Sequence, residues 1–242
     1  MNLLEVESVS KRYGGVQALH EVSFGIAAGA VVGIMGANGA GKTTLFSLVA
    51  GNERPSSGDI RLRGRSIVGR RPDEICRRGV ARTFQIVRPF AGLSVLENVT
   101  IAALFGAGQH ASHGRAAGAA RHVLGEIGLG DRADAPAGSL TLSGQKRLEI
   151  ARAIATGAGF IMLDEVMAGL TPPEVEELLA AIREIRRERG LTLLVIEHVV
   201  RVLMQLCDEV LVLHLGRLIA QGSPAGVAAD PAVLRAYFGA ES

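Results

Sequence analysis

Residues 36–44 read GANGAGKTT and follow the apolar run Val31-Val32-Gly33-Ile34-Met35. Gly36, Asn38, Gly39, Ala40, Gly41, Lys42, Thr43 and Thr44 thus satisfy G-x-x-x-x-G-K-[ST] between a strand and a helix that begins near Lys42. In such a turn glycines let successive backbone N–H groups converge on the β- and γ-phosphates of a nucleotide, and the helix adds the positive end of its dipole. Lys42 supplies a compact positive charge, and the Thr43 hydroxyl is a ligand for Mg²⁺. The other lysines are Lys11 and Lys146, in a chain whose remaining basic residues are arginines. A lysine retained here is a choice of ammonium over guanidinium.

Three further strand-like runs end in polar groups. Phe160-Ile161-Met162-Leu163 leads into Asp164-Glu165. A carboxylate delivered to the carboxyl edge of a sheet holds Mg²⁺, the role expected of Asp164. Glu165, one residue on, is placed to orient or deprotonate an attacking water. Leu191-Thr192-Leu193-Leu194-Val195-Ile196 ends in Glu197-His198, and His198 is a candidate to reach a γ-phosphate. Gln85 follows Val80-Ala81-Arg82-Thr83-Phe84, with an amide suited to Mg²⁺ or water. Tyr13, in Lys11-Arg12-Tyr13-Gly14-Gly15, is a candidate to stack on a purine base. Taken singly, each of these is an ordinary surface feature. Their coincidence with the phosphate loop gives them weight.

These groups need a scaffold, and strand-like and helix-like segments alternate as in an α/β domain with a mainly parallel sheet. Strands are expected over 3–9, 17–24, 31–35, 58–63, 79–84, 159–164, 191–196, 209–215 and 217–221. Ser94 and Glu97 form a capping box for a helix through about Leu104. Residues 106–121, rich in Gly, Ala, Ser and His, read as a loop or a loosely held helix start. Thr171, Pro172 and Glu174 open a cleaner helix that should run to about Arg189 and stop at Gly190. The stretch 87–152 reads as a helical insertion, with 1–86 and 153–242 as the strand-rich remainder.

Composition narrows the class. Across 242 residues, 26 basic residues face 24 acidic ones for a net charge of +2, too balanced for a dedicated nucleic-acid binder. Two cysteines, Cys76 and Cys207, make neither a disulfide framework nor a zinc spacing. The most apolar stretch, residues 22–40, is interrupted by glycines and is no membrane span. Glu5 and Glu7 near the start argue against a cleaved leader.

Together these residues resemble the ATP-binding subunits of ABC transporters, over essentially the whole chain. GANGAGKTT resembles the family's Walker A loop, FIMLDE at 160–165 its Walker B strand with the catalytic glutamate, ARTFQ its Q-loop and VIEHV its switch histidine. Tyr13 falls where the family places an aromatic against adenine. The 122 positions from Lys42 to Asp164 leave room for the family's inserted helical subdomain. The implied fold is a P-loop NTPase (RecA-like) core with an N-terminal antiparallel β subdomain and that α-helical insertion.

Within the family, KRYGGVQAL, GVARTFQIVRPF, LSVLENV and KRLEIARA resemble the branched-chain amino acid importers; relatives that import urea or short amides share much of this wording. The LSGGQ signature departs from the pattern. Counting back from Ala151-Arg152 places Leu140-Thr141-Leu142-Ser143-Gly144 there; matching by appearance places Leu142-Ser143-Gly144-Gln145 there, one residue short. Val166 stands where a proline often follows the Walker B glutamate, and Thr171 where the D-loop aspartate is usual.

The resemblance implies ATP and Mg²⁺ as bound species, with Glu165, His198 and Lys42 catalytic. Thr43, Gln85 and Asp164 would attend the metal, and Thr141, Ser143 and Gly144 would reach a partner's nucleotide. It further implies a second ATP-binding subunit, a heterodimer given the unusual signature, and two transmembrane permease subunits at the cytoplasmic face of the membrane. A periplasmic-type solute-binding protein would feed them, and no nucleic acid is involved. Rival readings are a non-transport ABC ATPase acting on nucleic acid or ribosomes, a P-loop kinase or GTPase, and a subunit that binds ATP without turning it over.

Overall fold

Alternating apolar and polar residues across the first 27 positions generate two long antiparallel strands, β1 (Asn2–Tyr13) and β2 (Val16–Ala27), in the computed structural model, which describes residues 2–83, 89–108 and 112–238. Leu4, Val6 and Val9 of β1 and Leu19, Val22 and Ile26 of β2 are buried, as a sheet with one covered face requires. β4 (Ser57–Leu62) pairs antiparallel with the other edge of β1, and β5 (Arg65–Ser66) follows it, giving the order β2-β1-β4-β5. This is the antiparallel N-terminal subdomain expected from the sequence.

The chain divides into two compact units, Met1–Ile75 with Thr192–Ser242, and Cys76–Leu191. In the first, β3 (Val31–Met35) is wholly apolar and lies between two parallel neighbours, β8 (Thr192–Ile196) and β9 (Glu209–His214). β10 (Arg217–Gly222) turns back antiparallel against β9. Strands covered on both faces read as continuous apolar runs, which explains why β3 and β8 are plain in the sequence. Among the described residues the first unit's helices are α1 (Lys42–Val49), α7 (Val200–Leu206), α8 (Pro224–Ala228) and α9 (Pro231–Phe238), and α2 (Pro72–Arg77) begins within it. Of these, α1 and the C-terminal helix α9, which carries Leu234, Tyr237 and Phe238, were expected from the sequence; α2, α7 and α8 are too short for periodicity to mark them.

The second unit holds a parallel pair, β6 (Val80–Arg82) and β7 (Phe160–Asp164), and four helices, α3 (Val95–Phe105), α4 (His113–Glu126), α5 (Leu142–Ala155) and α6 (Pro172–Arg189). The Ser94–Glu97 capping box is present in full. The Glu174 carboxylate takes both the backbone N–H and the hydroxyl of Thr171, and Gly190 ends α6 in the left-handed conformation. Of the two readings of residues 106–121, a loop or a loosely held helix start, the second holds from His113 on: residues 113–121 open α4, capped by Ser112. Ala116, Ala120, Val123 and Leu124 form its buried stripe, and small residues at that spacing carry little hydrophobic signal.

Candidate nucleotide site

In the first unit β3 ends at Met35 and the chain turns through residues 36–41 into α1. Gly36 is needed for contact: a Cβ there would lie 2.5 Å from the Leu213 carbonyl oxygen. Gly41 combines both reasons for glycine, with φ at +103° and a would-be Cβ 2.7 Å from the Ala18 carbonyl oxygen. Gly41 is the N-cap of α1 and offers no side-chain cap, and the first turn carries no acidic residue. The helix start therefore turns its positive dipole end toward an anion. Ala37, Asn38, Gly39 and Thr43 are exposed at the mouth of the loop. The buried Lys42 folds back over the turn, donating from Nζ to the carbonyls of Gly36 at 2.6 Å and Ala37 at 3.0 Å. An ammonium held on neutral carbonyls can exchange them for phosphate oxygens, which bind it more strongly. The loop fits a nucleotide's phosphates.

β3 and β8 run parallel with Ile34 opposite Ile196. Gly36 and His198 each lie two residues beyond these partners, so they leave the sheet at one edge. His198 is exposed there. Tyr13, at the end of β1, donates its hydroxyl to Glu53 at 2.5 Å, and its ring carries the Lys11 ammonium 4.8 Å from its centre. Lys11 also pairs with Glu53 at 2.9 Å. Partial burial first, and then the Glu53 carboxylate, raises the Tyr13 phenol. The bonds from Tyr13 and Lys11 hold Glu53 below the usual carboxylate range. The ring remains 43% exposed, so the aromatic expected against a base is a fixed, accessible platform.

The second unit positions the carboxylates. β6 and β7 are in register with Arg82 opposite Met162. The Thr83 hydroxyl accepts the backbone N–H of Asp164 at 3.0 Å, and Arg82 donates to Asp164 Oδ2 at 2.7 Å. Both side chains of that ion pair are largely buried. Glu165 follows with φ at +50°, a left-handed conformation unusual for a residue with a side chain. Its backbone carbonyl accepts the Lys146 ammonium at 3.0 Å and the Ala168 N–H at 3.3 Å. Gln85 lies outside the described residues.

Thr141 is the N-cap of α5 and accepts the Gly144 N–H at 3.3 Å. Thr141 is exposed, Ser143 and Gly144 are buried, and a Cβ on Gly144 would press on Leu140 at 3.2 Å. Sequence reasoning did not identify Arg82, Lys146 or Glu53 as partners of the site. A buried charge next to a motif residue announces itself only once strand register is known, although the rarity of lysine was a signal for Lys146.

A parallel strand, an uncapped glycine turn and a helix opening on lysine define a nucleoside triphosphatase of the phosphate-loop class. The chain belongs to the ABC transporter family, whose profile matches residues 19–168, and a branched-chain amino acid ATP-binding cassette transporter profile matches 217–242. It is 38% identical to the high-affinity branched-chain amino acid transport ATP-binding protein BraF of Pseudomonas aeruginosa, with 98% of each chain covered. It is 36% identical to LivG of Escherichia coli, again over 98% of each chain. A nucleotide-free ATP-binding cassette from an ABC transporter superposes with a TM-score of 0.87 at 28% identity, covering 98% of this chain and 99% of that one. The ADP conformation of such a cassette gives 0.88 at 29% identity, covering 99% and 100%. The chain is an ABC-type ATPase.

Proposed function

We propose that this chain hydrolyses ATP at Glu165 to energise uptake of branched-chain amino acids through an ABC importer. The ATPase role rests above all on the uncapped loop with Lys42 folded across it. The solute rests on the near full-length likeness to BraF and LivG and on the profile over 217–242. Lys42 and the amides of the loop hold the β- and γ-phosphates, Tyr13 offers its ring to the base, and His198 stands at the γ-phosphate. Glu165 takes the proton of the water that attacks the γ-phosphorus as the bond to the ADP oxygen breaks.

Mg²⁺ bound with the nucleotide would neutralise phosphate charge. No cluster of three ligating His, Cys, Asp or Glu side chains occurs among the described residues. This chemistry fits a cation held by the Thr43 hydroxyl, the Asp164 carboxylate and the nucleotide itself, with Gln85 added. The functional division we adopt is a helical subdomain over 87–152 within a core of 1–86 and 153–242.

The partner would be a second, non-identical ATPase subunit. Each nucleotide would lie between one chain's loop and the other's α5 start, where this chain offers Thr141, Ser143 and Gly144. Two permease subunits would receive the motion, and a periplasmic-type binding protein would deliver the solute. No helix among the described residues is long and apolar enough to cross a membrane, which suits a peripheral subunit on the cytoplasmic face.

The test is reconstitution with the co-purifying permease, partner ATPase and binding protein in vesicles. ATP-dependent accumulation of labelled leucine, isoleucine or valine is expected. Accumulation of urea or a short amide instead would reassign the solute. Binding of ATP with no turnover in the assembled complex would overturn the enzymatic reading.

A further inference from the structure

Glu165 has a left-handed backbone although it carries a side chain, and such a conformation persists only where neighbours hold it. Two donors meet at its carbonyl. The Ala168 N–H closes the local turn at 3.3 Å. The Lys146 ammonium arrives from α5 at 3.0 Å, and Lys146 is only 4% exposed. A buried ammonium is costly unless it is hydrogen-bonded, so this arm is committed to its acceptors. α5 touches the same segment a second time: a Cβ on Gly169 would come within 2.9 Å of Leu142 Cδ2. The turn that carries the carboxylate is thus gripped at both ends by one helix, by charge at Glu165 and by packing at Gly169.

We infer that Lys146 is a positioning residue for the hydrolytic reaction, fixing the left-handed backbone of Glu165 so that its carboxylate points where water must be deprotonated. The inference rests on Glu165 being the base. Lysine suits the task because its long unbranched arm crosses from the second turn of the helix to a single carbonyl, which a flat guanidinium meets less readily. The effect belongs to turnover, because the contact is made to the carbonyl of the residue that carries the base.

The experiment compares Lys146→Met and Lys146→Arg with the parent, in the assembled transporter and in the free chain. The Met variant should lose about tenfold or more in kcat with KM for ATP nearly unchanged, the pattern of a lost transition-state contribution. In the free chain without nucleotide, hydrogen exchange at the Ala168 amide should accelerate in the Met variant, because that amide shares the Glu165 carbonyl. Arg, which keeps the donor and the charge but meets the carbonyl less readily, should recover only part of both. Should the Met variant not fold, Lys146→Gln, polar but shorter, carries the same expectation. Parental kcat together with parental Ala168 exchange in a folded Met or Gln variant overturns the inference. If Glu165→Gln itself turns over ATP normally, the assignment of the base has failed instead, and Ala168 exchange still reports whether Lys146 holds the turn.

Discussion

The two units prepare their charges in opposite ways. In the first, Lys42 is buried on neutral carbonyls of its own loop, and no acidic residue stands in the first turn of α1. In the second, Asp164 is already paired with Arg82 at 2.7 Å, and both side chains are mostly withdrawn from water. The loop thus presents an ammonium hydrogen-bonded to carbonyls, whereas Asp164 already carries a guanidinium counter-charge. The contrast is between a charge poised for a ligand and one whose ion pair also supports the fold, and substitution can test it.

The largest effect should come from Glu165→Gln. Removing a general base costs about 10²–10⁴ in rate, so turnover should nearly vanish while ATP binding by calorimetry stays intact. Arg82→Gln should follow, since breaking a buried pair by removing one partner costs about 3–5 kcal/mol. Chemical denaturation of the free chain would show it, and a loss under about 1 kcal/mol would mean that Arg82 is no structural counter-charge. Lys42→Ala should do the reverse, weakening ATP affinity by about ten- to a hundredfold, as for loss of a charged hydrogen bond. It should cost less stability than Arg82→Gln. If both variants lost stability alike and both bound ATP, the contrast would be wrong.

The smallest effect is a pH dependence beneath the loop. Burial pushes the Cys207 thiol up to about 12 from an ordinary value of 9.0, and its sulfur would lie 2.9 Å from a Cβ on Gly33 of β3. The unfolded chain ionises this thiol first. Its contribution is complete below pH 9.0 and fades as pH climbs toward about 12, at no more than ~1.4 kcal/mol per pH unit. Denaturation midpoints of the parent and Cys207→Ala, followed through that range, should converge.

Much of this was legible in the sequence because it is local. The phosphate loop is nine consecutive residues, and the capping boxes at Ser94 and Thr171 span four positions each, so their physics is written in neighbouring letters. The fully buried strands β3, β7 and β8 were equally plain. Arg82 and Lys146 were not, because their partners are set by the β6–β7 register and by the facing of α5, which composition does not encode. α4 was only half legible for a different reason: two of the four residues on its buried face are alanines, too small to stand out among glycines.

The hairpin between β9 and β10 gives the phosphate loop an unexpected keeper. Gly216 donates its N–H to the Ala40 carbonyl at 3.1 Å, its own carbonyl accepts from His20 at 2.8 Å, and a Cβ there would strike Ala18 at 2.7 Å. The curvature of a motif near residue 40 is therefore moulded partly by a residue some 175 positions downstream. During synthesis the binding turn must wait for nearly the entire polypeptide to emerge before it can take its final shape.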